Sequence, residues 1–175
     1  WADLRRAEDF GLGIPQGVTY DFGAVMARMR KLRARISNND SAHRYANLGV
    51  DVFIGHGHFS GGDTIEVEGR AGNRSLTFAR AAVCTGARAS APSIPGLKEA
   101  GYLTNESVFS LRELPRRIGV IGAGPIGCEL AQAFARFGSQ VHLIEAMHGI
   151  LPNEDRDAAA VVDRQMAREG VTVCC

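Results

Sequence analysis

Residues 118 to 145 hold the pattern that most restricts this chain. The apolar run Ile118-Gly119-Val120-Ile121 leads directly into Gly122-Ala123-Gly124-Pro125-Ile126-Gly127. A second apolar run, Val141-His142-Leu143-Ile144, ends at Glu145. A buried strand, a G-x-G-x-x-G turn, a helix from Pro125 to Phe137 closed by Gly138, and a second strand ending in an acid describe one βαβ unit. The pattern continues. A second helix is predicted from Asn153 to Glu169, with Glu154, Asp155 and Asp157 in its first turn and Arg168 in its last, an order that suits the helix dipole. Val171-Thr172-Val173 then opens a third strand. Alternating strands and helices predict a parallel sheet with right-handed crossovers.

Each glycine of the turn has a mechanical task. Gly122 permits the tight exit from the strand, Gly124 leaves room for a pyrophosphate against the backbone, and Gly127 lets helix and strand approach. The helix start offers unpaired N–H groups and the positive dipole end to phosphate. Pro125 sits where its missing N–H costs nothing. Glu145, about 20 residues on, stands where an acid accepts hydrogen bonds from the adenine ribose. A carboxylate there repels a 2′-phosphate, and Ala146, Met147 and His148 bring no arginine. The expected ligand is therefore NAD(H), with NADP(H) less favoured.

Upstream, Phe22, Val25, Met26, Met29, Leu32 and Ile36 recur at three- and four-residue intervals, with Arg28, Arg30, Lys31 and Arg33 between them. This is an amphipathic helix with a solvated basic face. Gly49 to Ile54 reads as a short strand ending at Gly55. Thr64 to Val67 and Ser75 to Phe78 read as a hairpin turning through Arg70 to Arg74, and Ala81 to Cys84 as a further small strand. Ala87 to Gly96, with Pro92 and Pro95, is irregular, and Leu111 to Arg117, with Pro115, is a linker.

Composition sets the outer limits. Hydrophobic residues make up 45% and charged residues 22% of the 175, so the chain can bury a core. The formal net charge is +1 with no long basic run, which argues against nucleic acid as a partner. No apolar stretch reaches the roughly 20 residues of a membrane span. The cysteines Cys84, Cys128, Cys174 and Cys175 form no C-x-x-C pair, and a reducing, cytoplasmic setting fits them. Cys174-Cys175 invites a metal-capture reading, but the pair directly follows the third strand, the wrong position for it, and the reading is set aside. His56 and His58 share a strand parity but lack a third ligand, and no metal site is expected. Cys128 falls in a helix first turn, where a thiolate can be stabilised, but packing against the sheet is the favoured role.

At this level of detail the chain resembles the pyridine nucleotide-disulfide oxidoreductases of the lipoamide dehydrogenase and mercuric reductase type. Four pieces carry the resemblance in order. They are Gly49-Val50-Asp51-Val52-Phe53 with Gly55 to Phe59; Cys84-Thr85-Gly86-Ala87 leading to Ile94-Pro95-Gly96; Leu114-Pro115 with Ile118 to Glu129; and Glu145 with Gly149-Ile150-Leu151-Pro152. The resemblance implies an α/β fold of Rossmann-like, doubly wound parallel sheets, with a small antiparallel hairpin or meander in the FAD part. It implies that residues 1–112 are the second part of an FAD-binding domain and residues 113–175 the N-terminal part of an inserted NAD(P)-binding domain. The backbone at Gly57 and the segment Thr85, Gly86 and Ala87 would then meet FAD, with Cys84 where the family usually has alanine. The loop Gly122, Ala123, Gly124, Pro125, Ile126, Gly127 and Cys128 would meet NAD, with Glu129 near its nicotinamide.

The same resemblance implies a flavin-dependent oxidoreductase passing hydride from NAD(P)H to FAD and on to a disulfide or metal-ion acceptor. The full-length protein is then expected to be a homodimer. The chain begins at Trp1 without a leader pattern and carries no redox cysteine pair, so the expectation is a central, inactive fragment without catalytic residues. The rival from another class is a non-catalytic module that senses NAD(H). Lipoamide, other disulfides and Hg(II) all stay open as terminal acceptors.

Overall fold

A computed structural model describes residues 1–14 and 16–175. It divides into two compact units, one of Trp1–Arg30 with Lys98–Cys175 and one of Lys31–Leu97.

The first unit is built on a three-stranded parallel sheet. In chain order the helices are α1 (Ala2–Arg5), α2 (Phe22–Ser37), α3 (Ala42–Asn47), α4 (Leu97–Ala100), α5 (Pro125–Arg136) and α6 (Arg156–Arg168). The strands are β1 (His56–Phe59), β2 (Thr64–Gly69), β3 (Gly72–Thr77), β4 (Arg117–Ile121), β5 (Gln140–Ile144) and β6 (Val171–Cys174). Sheet order is β4-β5-β6, with Ile118 opposite Val141 and Val141 opposite Val171. The central strand explains the order. Val141 and Leu143 alternate along β5 and are 0% exposed, so β5 needs a neighbour on each edge and cover on its faces. Helix α5 supplies cover through Cys128, Ala131, Phe134 and Ala135, spaced at helical intervals. Helix α6 adds Ala159 and Met166. Each large side chain so buried contributes about 1.5–3 kcal/mol. Phe22 and Met26 of α2 join this core, Phe22 edge-on to Phe137.

The second unit contains an antiparallel meander, β1-β2-β3, with Gly57 opposite Val67 and Ile65 opposite Leu76. The anticipated hairpin is present with longer arms. Gly69 pairs with Gly72, so the turn shrinks to Arg70-Ala71 and Asn73-Arg74 belong to β3. Helix α3 gave no periodic apolar signal; its start is marked by Ser41, whose hydroxyl accepts the N–H of Arg44 at 3.2 Å.

The structure corrects five expectations. Residues 49–54 and 81–84 are not strands, and the strand falls at His56–Phe59 instead. Their apolar side chains Val50, Val52, Phe53, Ile54 and Val83 are exposed, and a strand exists only where a neighbour completes its ladder. Helix α6 starts at Arg156 rather than near Asn153, because Asp155 takes the N-cap and accepts the N–H of Ala158 at 3.0 Å. Glu154 and Asp155 therefore precede the first turn, which holds Asp157 alone of the three acids. The apolar stripe of α2 is buried only in its first half, with Val25, Leu32 and Ile36 exposed. Its basic face is not uniformly solvated either. The Arg30 guanidinium donates to the carbonyls of Phe109 and Leu111, each at 3.2 Å.

Candidate functional site

The glycine turn lies where β4 ends and α5 begins. Gly122 has φ 97°, a left-handed conformation that strains any side-chain-bearing residue. Its N–H donates to Ile144 at 2.8 Å, which locks the turn to the end of β5. Ala123 is fully buried. Gly124 is the N-cap of α5, and no side chain caps that helix start. The first-turn N–H groups of Ile126 and Gly127 have no partner within the helix. They and the dipole form an anion-attracting end next to the turn.

A side chain has different consequences at the last two glycines. A Cβ on Gly127 would lie 1.9 Å from the Gly122 carbonyl oxygen and 3.6 Å from Val120, so this glycine sets the helix-to-strand distance. A Cβ on Gly124 would meet nothing within 4 Å. Packing explains Gly127. At Gly124 the missing side chain leaves open space over the turn, the room that a pyrophosphate lying on the backbone needs.

Glu145 follows β5, and the chain brings it back onto the turn. Its Oε2 accepts the Ala123 N–H at 2.7 Å, and its Oε1 accepts the N–H groups of Ala146 at 2.8 Å and Met147 at 3.1 Å. The Ala123 N–H, then those of Met147 and Ala146, hold the carboxyl below its ordinary range. An ionised, half-buried acceptor is thus fixed against the glycine turn. Cys128 behaves differently. Its thiol is buried and points to the Ala123 carbonyl, Sγ to oxygen 3.4 Å. Burial, followed by the carboxylates of Asp163, Glu129 and Glu145, pushes the thiol up from its usual value. It stays protonated and packs inward, as the sequence favoured.

One contact was not foreseen. The segment 149–155 after β5 folds back over the turn, and the Leu151 N–H donates to the Ala123 carbonyl at 2.8 Å. Leu151 has φ 50°, the only non-glycine residue with positive φ among those described. The sequence gives no sign of this, although Gly149 to Pro152 was marked by resemblance.

The remaining expected residues belong to α5 or to the second unit. Pro125 and Ile126 are exposed at the start of α5, and Glu129 is exposed one turn further on. Gly57 sits in β1, and Thr85, Gly86 and Ala87 lie in an exposed irregular segment, with Gly86 at φ 69°. The His58 and Glu66 side chains, on neighbouring strands, are 3.7 Å apart. Among the described residues no cluster of His, Cys, Asp or Glu could hold a metal ion, and no helix is long and apolar enough to cross a membrane.

A parallel sheet whose first strand runs through a glycine turn into a helix, with an acid from the second strand on that turn, defines a Rossmann-type nucleotide-binding unit. Comparison with known proteins narrows the class. The family model for pyridine nucleotide-disulphide oxidoreductases matches residues 16–175, and the chain belongs to that family. It is 30% identical to a dihydrolipoyl dehydrogenase of Acholeplasma laidlawii, over 97% of this chain and 50% of that relative. It is 31% identical to a mercuric reductase of Bacillus cereus, over 87% of this chain and 24% of that relative. Among solved structures it resembles the HOCl-induced flavoprotein disulfide reductase RclA of Escherichia coli. There the TM-score is 0.70 at 31% identity, covering 88% of this chain and 35% of that one. LpdA of Mycobacterium tuberculosis gives a TM-score of 0.74 at 27% identity, covering 98% and 38%. The chain thus spans half or less of the length of these relatives.

Proposed function

We propose that the chain binds NAD(H) at Gly122 to Glu145 within a flavin-dependent oxidoreductase that passes hydride from NADH to FAD and on to a disulfide or metal-ion acceptor. The carrying observation is the Glu145 carboxylate, 2.7 Å from the Ala123 N–H. It places an ionised acceptor beside the open space at Gly124, as recognition of a ribose next to a pyrophosphate requires. On this reading residues 1–112 are the second part of an FAD domain, approached by FAD at Gly57 and at Thr85, Gly86 and Ala87. Residues 113–175 begin the NAD(P) domain, with Glu129 facing the nicotinamide end. The acceptor-side chemistry belongs to parts of a longer protein, as the greater length of the relatives suggests, and such a protein is a homodimer on the same reading.

When bound, the two cofactors supply the hydride chemistry. The chain's own residues bind and orient. The α5 start attracts the pyrophosphate, Glu145 accepts from the ribose hydroxyls, and the absent side chain at Gly124 admits the backbone contact. NADH is favoured over NADPH because a 2′-phosphate would meet the Glu145 charge. Two measurements on the intact protein test this. It should be yellow and bleach on adding NADH; a colourless protein that still binds NAD(H) supports a sensor instead. Glu145→Ala should weaken NADH binding by about tenfold, the worth of a hydrogen bond to a charged group, and spare NADPH. Unchanged NADH affinity defeats the ribose assignment.

A further inference from the structure

The side chain of Arg156, the first residue of α6, sits behind the segment that folds over the glycine turn. Its guanidinium donates to the Ile150 carbonyl from both terminal nitrogens, each at 3.3 Å, and to the Leu151 carbonyl. It also reaches the Glu154 carbonyl, at 3.2 Å from Nε and 3.1 Å from a terminal nitrogen. One planar fork thus gathers three backbone carbonyls of the segment 150–154. The three carbonyls share a single cation, and Leu151 among them is held in the left-handed region, at φ 50°. That conformation is costly for a branched side chain and persists only where its surroundings enforce it. The other face of Leu151 is its N–H, which holds the Ala123 carbonyl at 2.8 Å. Ala123 in turn gives its own N–H to Glu145. The chain of contacts therefore runs from Arg156 through the Leu151 backbone to both sides of the Ala123 residue and ends on the carboxylate of the binding site.

We infer that Arg156 is a positioning residue for the dinucleotide site, fixing the 149–155 segment so that the glycine turn and Glu145 are set before the ligand arrives. The inference rests on the proposed NAD(H) site. Arginine suits the task where lysine suits it less, because its rigid fork meets several carbonyls at once. The half of the ligand that benefits is adenosine with its pyrophosphate, the part lying on the turn.

ADP-ribose is the probe, since it carries that half and no nicotinamide. In the intact protein, calorimetry of Arg156→Ala should show ADP-ribose binding weakened about tenfold, with Arg156→Lys in between. Stopped-flow flavin reduction by NADH should show the same rise in apparent Kd, with the limiting rate at saturation unchanged, because the hydride-transferring end is untouched. If both variants bind ADP-ribose as the parent protein does, the inference is overturned. A limiting rate that falls in parallel with the affinity also overturns it, because that is general loss of structure. If the parent itself binds no ADP-ribose, the NAD(H) reading fails before the role of Arg156 is reached.

Discussion

Single residues carry the sharpest tests. Gly124 and Gly127 are two glycines of one motif in opposite surroundings, one open and one closed by a backbone carbonyl. Gly124→Ala adds a methyl group to empty space at an ordinary φ of −71°. The thermal transition should stay within a degree or two of the parent while NADH binding is lost. Gly127→Ala drives a methyl group into the Gly122 oxygen. Such overpacking costs about 1–3 kcal/mol, which urea denaturation should register as a lower midpoint. Equal stability losses in the two variants would mean that the open space at Gly124 is not a ligand space. Cys128 offers a separate check. Buried, and kept protonated by burial and by nearby carboxylates, it should resist alkylation in the native protein and react only after denaturation. Peptide mass analysis reads this directly, and rapid native labelling would contradict the packing described.

At the scale of elements, helices α5 and α6 are joined at their C-terminal ends. Arg136, the last residue of α5, donates from Nε at 2.6 Å and from a terminal nitrogen at 2.9 Å to the two carboxylate oxygens of Glu169, which follows α6. Gln165 adds a third donor at 2.6 Å. The Arg136 guanidinium, ahead of all else, holds the Glu169 carboxyl below its ordinary range. A carboxyl lowered in the folded state stabilises above its unfolded pKa, near 4.3. That stabilisation is lost as pH falls through the folded value. Glu169→Gln should therefore cost about 1 kcal/mol at neutral pH, the figure being kept small because Arg136 is 42% exposed. The difference from the parent should shrink below pH ~4. Urea titrations at the two pH values measure it, and a pH-independent difference would assign the effect to packing. The βαβ order of these elements was legible in sequence because strand and helix here have contrasting apolar periods. The extra strands expected at 49–54 and 81–84 were read from the same kind of signal, yet apolar content alone cannot supply the neighbour that makes a strand.

For the whole molecule, the second unit carries the clearest consequence. Val50, Val52, Phe53, Ile54, Val83 and Ile94 are all exposed. If residues 1–112 belong to a larger FAD domain, that domain covers these side chains. The 175-residue chain alone should then bind a hydrophobic dye strongly, and the intact protein only weakly at equal molarity. Equal dye emission would count against the proposed domain division.

By itself the sequence determined the class of fold and the location of the βαβ unit with its glycine turn. Glycine spacing, apolar runs and a well-placed acid are local properties, and the βαβ unit is local in the chain. Tertiary structure decided what each piece does there. It turned Glu145 back onto Ala123 and laid Leu151 and Arg156 behind the turn. Those relations join residues more than twenty positions apart, or depend on a left-handed backbone at a leucine. No periodicity encodes either one, because both arise only when the sheet brings strand ends together.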